Sequence, residues 1–175
     1  MPHSHTFRYR LNHEEKQLEG RLTVFNWVTD GFDHLVLKLL SYFMFYDPEI
    51  KIDVDIDYHY RPDLVIEGPN HQPRLWAECG KADLKKPDKV ATKCHHCDLY
   101  VVQKDKTSME RLYRHAKRKV KHIERVKFIG FEPGYVDSLV YMILNTSKRT
   151  VELDCRVSGS CIEINDIASE IYKMP

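Results

Sequence analysis

The run RPDLVIEGPNHQPRLWAECG, Arg61 to Gly80, decides how this chain folds. Asp63 to Gly68 reads as a short apolar strand, closed by the turn signal Gly68-Pro69-Asn70. Arg74 to Cys79 pairs back against it and completes a hairpin. Side chains alternate along a strand, so Leu75, Ala77 and Cys79 share one face while Trp76, Glu78 and Gly80 share the other. Glu78 and position 80 therefore point the same way, and Asp63 stands at the mouth of the partner strand.

Downstream, Asp83 can cap a helix from Leu84 to His96, with Pro87 tolerated in the first turn. Val90, Ala91, Cys94 and Cys97 form its inward stripe, and Lys85, Lys89 and Lys93 line an adjacent face at intervals of four. Asp98 to Gln103 is a β-branched strand, so the helix is expected to be a right-handed crossover between parallel strands. Beyond it, Thr107-Ser108-Met109-Glu110 has capping-box spacing and opens another helix. A strand over Val126–Phe131, a helix over Tyr135–Ile143 and a hairpin of Thr150–Arg156 with Ser160–Ile164 complete the chain.

Upstream, Thr6–Leu11 and Gly20–Phe25 alternate as an antiparallel pair. Thr29 or Asp30 caps a helix that runs to Tyr46 and stops before Asp47-Pro48. Asp33 shares a face of that helix with Val36, Leu37 and Leu40, which turns its carboxylate inward; a first-turn acid favoured by the helix dipole explains it equally well. Ile50 to Tyr58 alternates, with Asp53, Asp55 and Asp57 on one face. A calcium loop starting at Asp53 needs Gly at its sixth position and Glu at its twelfth, where Tyr58 and Leu64 stand. The run is expected to be a strand with a solvated acidic face. The fold class is α/β (α+β): a mixed central sheet flanked by helices, with hairpins added at both ends, in one domain of 175 residues.

Composition narrows the function. With 27 Lys and Arg against 26 Asp and Glu, no overall basicity announces nucleic acid, but basic residues crowd Lys104–Lys127. Arg111, Arg114, Lys117, Arg118 and Lys121 are the candidates to track a phosphate backbone; a solvated helix face accounts for them as well. The five cysteines, an odd number, point to reduced thiols. Cys94-His95-His96-Cys97 offers half a zinc site, whose other half would come from Cys155, Cys161 or distant histidines; buried thiols are the plainer reading. The N-terminal residues lack a signal-peptide pattern, and the longest apolar run, Leu35–Tyr46, is broken by Lys38 and too short to span a bilayer. A soluble, cytoplasmic protein with no membrane partner is expected, its oligomeric state left open.

Phosphodiester hydrolysis needs charge neutralised on the phosphoryl oxygens and hydroxide supplied near neutral pH. A hard cation does both, held by a few carboxylates and waters. Asp63, Glu78 and Asp33 are the acids placed to serve it.

The segment Asp33–Leu40, the step Pro62-Asp63, the run Leu75–Gly80 and the helix past Asp83 to Lys89 together resemble the YaeQ family, over nearly the whole chain. That resemblance implies a PD-(D/E)xK nuclease-like, restriction-endonuclease-like core and a magnesium- or manganese-dependent nuclease. It implies Asp33, Asp63 and Glu78 as metal ligands, and Asp63, Glu78 and a lysine as the catalytic set. Asp33 stands where Glu is frequent, and Gly80 stands where the motif lysine would be. Lys89 is then the foremost replacement from the following helix, with Lys81 and Lys85 as rivals. If no lysine reaches the cleft, the domain is a binding module for nucleic acid or protein that does not cut. A zinc-stabilised module through Cys94 and Cys97 is the third possibility.

Overall fold

Strands that alternate at period two fall into two sets along the chain, and each set makes its own sheet. The computed structural model describes residues 3–27, 29–56, 60–81 and 83–175. The first sheet begins with a long hairpin, β1 (His3–His13) and β2 (Lys16–Asn26), paired over its whole length. β1 also takes β8 (Thr150–Ser158) as a parallel neighbour, and β8 is followed by β9 (Cys161–Ile164) and β10 (Ile167–Glu170). The order is β10-β9-β8-β1-β2.

The second sheet has the order β11-β7-β6-β5-β4-β3, from β3 (Lys51–Ile52), β4 (Leu64–Glu67), β5 (Pro73–Cys79), β6 (Asp98–Val102), β7 (Val126–Gly130) and β11 (Tyr172–Met174). β4 and β5 form the expected hairpin, with Val65 opposite Trp76. β5, β6 and β7 run parallel. Helix α2 (Lys85–Lys93) makes the crossover between β5 and β6.

Both sheets are mixed, so the architecture is α+β with two sheets where one central sheet was expected. The terminal hairpins are the reason: they pair with each other, through β1 and β8, instead of adding to the sheet that carries the Asp63 hairpin.

The helices fill two layers. α1 (Gly31–Met44) and α4 (Tyr135–Leu144) lie between the sheets, where Leu35, Leu39, Phe43, Val136 and Leu139 pack with Phe7 and Leu153 of one sheet and Leu64 and Ala77 of the other. α1 is thus buried on nearly every side, Lys38 included. On the far face of the second sheet, α2 and α3 (Lys106–Ala116) cover a second core of Trp76, Leu99, Val101, Phe128, Val90, Ala91 and Met109.

Three local expectations change. The alternating run Ile50–Tyr58 is strand only at β3, because Asp53 turns the backbone into the left-handed region at φ 54°. Asp57 and Tyr58 of that run lie outside the described residues. Asp105, not Thr107, caps α3 by accepting the Ser108 N–H at 2.7 Å. α2 ends at Lys93, where Cys94 turns extended, so Cys97 sits beyond the helix. No helix among the described residues is long and apolar enough to cross a membrane.

Candidate active-site cleft

The parallel strands β5 and β6 end side by side, with the Gly80 N–H donating to Val102 O at 2.8 Å. In sheets of this kind, ligands bind outside the carboxyl ends of the strands. A cavity of about 920 Å³ opens there, bounded by the start of α1, the approach to β4, the end of β5, the start of α2 and the link from β6 to α3. Asp63 and Glu78 both line it, the first because it immediately precedes β4 and the second because strand alternation turns it toward α2.

Asp63 is held from three sides. Its Oδ2 accepts the Cys79 N–H at 2.7 Å, across the hairpin, and its Oδ1 lies 2.9 Å from His34 Nε2. An ionised carboxylate only accepts, so that His34 nitrogen carries the proton. Lys38 Nζ stands 3.8 Å from the same Oδ1. Burial alone would raise the Asp63 carboxyl, but His34, the Cys79 amide and Lys38 outweigh it and hold it below the ordinary range.

Glu78 has the opposite fate. Burial, joined by the nearby Asp63 charge, pushes it up to about 7 against the pull of Lys86 and Trp76. Its Oε1 accepts the Trp76 indole N–H at 2.7 Å, and Lys86 Nζ is 3.4 Å from Oε2. One cleft therefore carries one carboxyl that stays ionised and one that titrates near neutrality, the pattern by which paired acids divide their roles.

Two further groups were not foreseen. Lys38 is 2% exposed, and its ammonium donates to Asp53 Oδ1 at 2.7 Å. Asp53, expected on a solvated face, is mostly buried in the cleft wall, and its Oδ2 has no hydrogen-bond partner among the described residues. The Asp53 carbonyl accepts from Arg61, which also lines the cavity. A lysine interrupting an otherwise apolar helix, four residues after His34, was the sequence signal for this network.

The remaining expected residues divide. Asp33 reaches only the cavity rim, 48% exposed and 3.7 Å from Lys104, because a first-turn position splays toward the β6–α3 link. Lys89 is exposed and outside the cavity, as is Lys85, while Lys81 lines it. Lys86 takes the place beside Glu78 that Lys89 was expected to hold. The reason is distance along the helix: Lys89 lies about 4.5 Å further from the strand end, at 1.5 Å per residue. Arg111, Arg114, Lys117, Arg118 and Lys121 are all exposed on α3 and the turn after it. Ser108, in the first turn of the same helix, lines the cavity.

Gly80 has a backbone reason to be glycine. Its φ is +76°, although a Cβ there would meet only Leu37 and His34 at ordinary distances of 3.7 and 3.8 Å. Room exists for a side chain, but the left-handed backbone costs an L-residue about 1–2 kcal/mol. Gly80→Lys is therefore expected to lower the urea midpoint by the equivalent of about 1 kcal/mol. A gain in stability would show that the backbone relaxes freely.

The donor set suits a hard cation only as a pair. Among the described residues no group of three or more His, Cys, Asp or Glu stands arranged to hold a metal. Asp33 is engaged with Lys104, so the three-acid cluster reduces to Asp63 and Glu78. Magnesium keeps several waters and is bound through as few as one or two carboxylates, and Asp63 and Glu78 supply two in the cleft. The zinc half-site fares differently. Cys94 belongs to the second core and Cys155 to the first, and burial, with Cys94 and Asp98 nearby, pushes the Cys97 thiol up to about 12.

A family model described as YaeQ protein matches residues 21–173. The chain superposes on the crystal structure of the YaeQ protein from Xanthomonas axonopodis pv. citri with a TM-score of 0.75 at 14% identity, covering 98% of this chain and 97% of that one. It superposes on the YaeQ protein from Pseudomonas syringae with a TM-score of 0.76 at 13% identity, covering 99% and 96%. Among curated proteins no sequence match was found.

Proposed function

The chain belongs to the YaeQ family, and from that premise we propose that its cleft hydrolyses phosphodiester bonds of nucleic acid with a divalent cation, as a nuclease of the PD-(D/E)xK kind. The observation that carries this reading is the split pair: Asp63 held ionised and Glu78 raised to about 7 in one cavity, with Lys86 beside Glu78. Two mutually repelling, nearly buried carboxyls are a costly arrangement that a bound cation relieves.

Asp63 and Glu78 would hold magnesium or manganese, which neutralises phosphoryl charge and supplies a nucleophilic hydroxide near neutral pH. The chain's own groups do the rest. His34, the Cys79 N–H and Lys38 fix the Asp63 carboxylate in orientation, leaving further lone pairs on both oxygens. The Trp76 N–H fixes Glu78 in the same way. The Lys86 ammonium meets the charge that develops on the phosphoryl oxygens as the new P–O bond forms and the ester P–O bond breaks. The exposed cations of α3 would follow the flanking phosphates, so affinity falls as salt rises.

Removing one such charge-stabilising group slows an enzyme about 10²- to 10³-fold. Lys86→Ala is therefore expected to slow metal-dependent cleavage of oligonucleotides by at least 100-fold, while Lys89→Ala changes it less than twofold. Steady-state cleavage rates decide it, and equal losses in the two variants would remove Lys86 from its role.

A further inference from the structure

We infer that the cleft takes single-stranded rather than duplex nucleic acid, with one unstacked base lying on the indole of Trp27. The inference rests on the phosphodiesterase reading above and names its substrate class. The chain has two tryptophans. Trp76 is fully buried beneath α2, whereas Trp27, just past the end of β2, is 44% exposed and lines the same cavity as Asp63 and Glu78. A large apolar ring left in water at the mouth of a polar cavity offers a flat stacking surface beside groups suited to phosphate. Arg61 and Lys81 are exposed in that lining, and Lys104 stands partly exposed at the rim.

Depth selects the strand. The two acids line the cavity with only 15% and 6% of their side chains exposed, so a scissile phosphate must enter it to reach them. Inside a duplex each base face is covered by its neighbours, and the paired strand keeps the backbone from entering such a recess. A single strand can lower one phosphate to the acids and turn the adjoining base onto an aromatic ring, the way proteins hold unpaired nucleotides without reading sequence.

The test uses the full chain in EDTA, so that no strand is cut. Single-stranded DNA and RNA octamers and a hairpin duplex of equal charge are titrated, with tryptophan emission and fluorescence anisotropy of labelled strands as readouts. Trp76 is inaccessible, so quenching reports Trp27; it is expected with single strands and lost in Trp27→Phe. Trp27→Ala should weaken single-strand binding roughly tenfold or more, Trp27→Phe by less, with duplex binding weaker and indifferent to both. A difference between the DNA and RNA arms names the sugar and leaves the inference standing. Failure to bind single strands, unchanged affinity in Trp27→Ala, or a duplex bound as tightly overturns it. No metal is present, so failure of the cleavage reading does not move this measurement, and failure here leaves the cleavage assays intact.

Discussion

Lys38→Met is expected to lower the thermal midpoint by roughly 10 °C. The lysine is almost wholly buried on α1 between Asp53 and Asp63, 2.7 Å from one carboxylate and 3.8 Å from the other. Methionine keeps the shape of the stem and removes only the charge, leaving the Asp53 carboxylate desolvated without its counter-ion and Asp63 held by His34 and the Cys79 N–H alone. Breaking a buried pair in this way costs about 3–5 kcal/mol, and about 2–4 °C accompanies each kcal/mol in a chain of this size. Asp53 makes the loss worse, since its Oδ2 already lacks a partner among the described residues. Adding Asp53→Asn to Lys38→Met should restore at least half of the loss, because Asn carries no charge and tolerates the left-handed backbone that Asp53 adopts. A Lys38→Met midpoint within 2 °C of the wild type would contradict the network.

Glu78→Gln is expected to make the protein more stable than the wild type above pH 7. The folded-state value of Glu78 is raised, from 4.5 to about 7, so between those pH values the folded chain holds a proton that the unfolded chain has released. Stability falls with rising pH across that window by about 3 kcal/mol in all, then levels off. Glutamine removes the slope while keeping an acceptor for the Trp76 N–H. Asp63 works in the other direction. Its folded value is lowered, so its contribution is present above pH 3.8 and is lost as pH falls through that lower value. Urea unfolding from pH 4 to pH 9 isolates the Glu78 slope, since the Asp63 window lies below that range. Manganese at pH 8 should stabilise the wild type by binding the ionised pair and should do little for Glu78→Gln. Parallel pH profiles for the two proteins would show that Glu78 is not held at a raised value.

What the sequence revealed was local. The turn signal at Gly68-Pro69-Asn70 and the alternation after Arg74 fixed the β4–β5 hairpin, and with it the shared cleft of Asp63 and Glu78. The apolar strand after Cys97 fixed the crossover. Pairing between distant segments leaves no such trace: nothing in Thr6–Leu11 announces a parallel partner at Thr150, so alternation alone predicts one sheet where the chain forms two. Strict alternation over Ile50–Tyr58 looks the same whether Asp53 faces water or turns inward to Lys38, and only tertiary packing chose. The regular ladder of Lys85, Lys89 and Lys93 drew attention from Lys86, which periodicity does not mark but the helix start delivers to Glu78. Trp27 needed the end of β2 to be placed beside the cleft before its exposure meant anything.

The most direct measurement is cleavage of a labelled single-stranded oligonucleotide by the purified chain in magnesium or manganese and in EDTA, with Asp63→Asn and Glu78→Gln run alongside. The expected result is divalent-dependent cleavage by the wild type, rising with pH toward 7 and lost in both variants. Absence of cleavage in either metal, or cleavage that survives both substitutions, would contradict the central claim; in the first case the cleft would be one that binds without cutting.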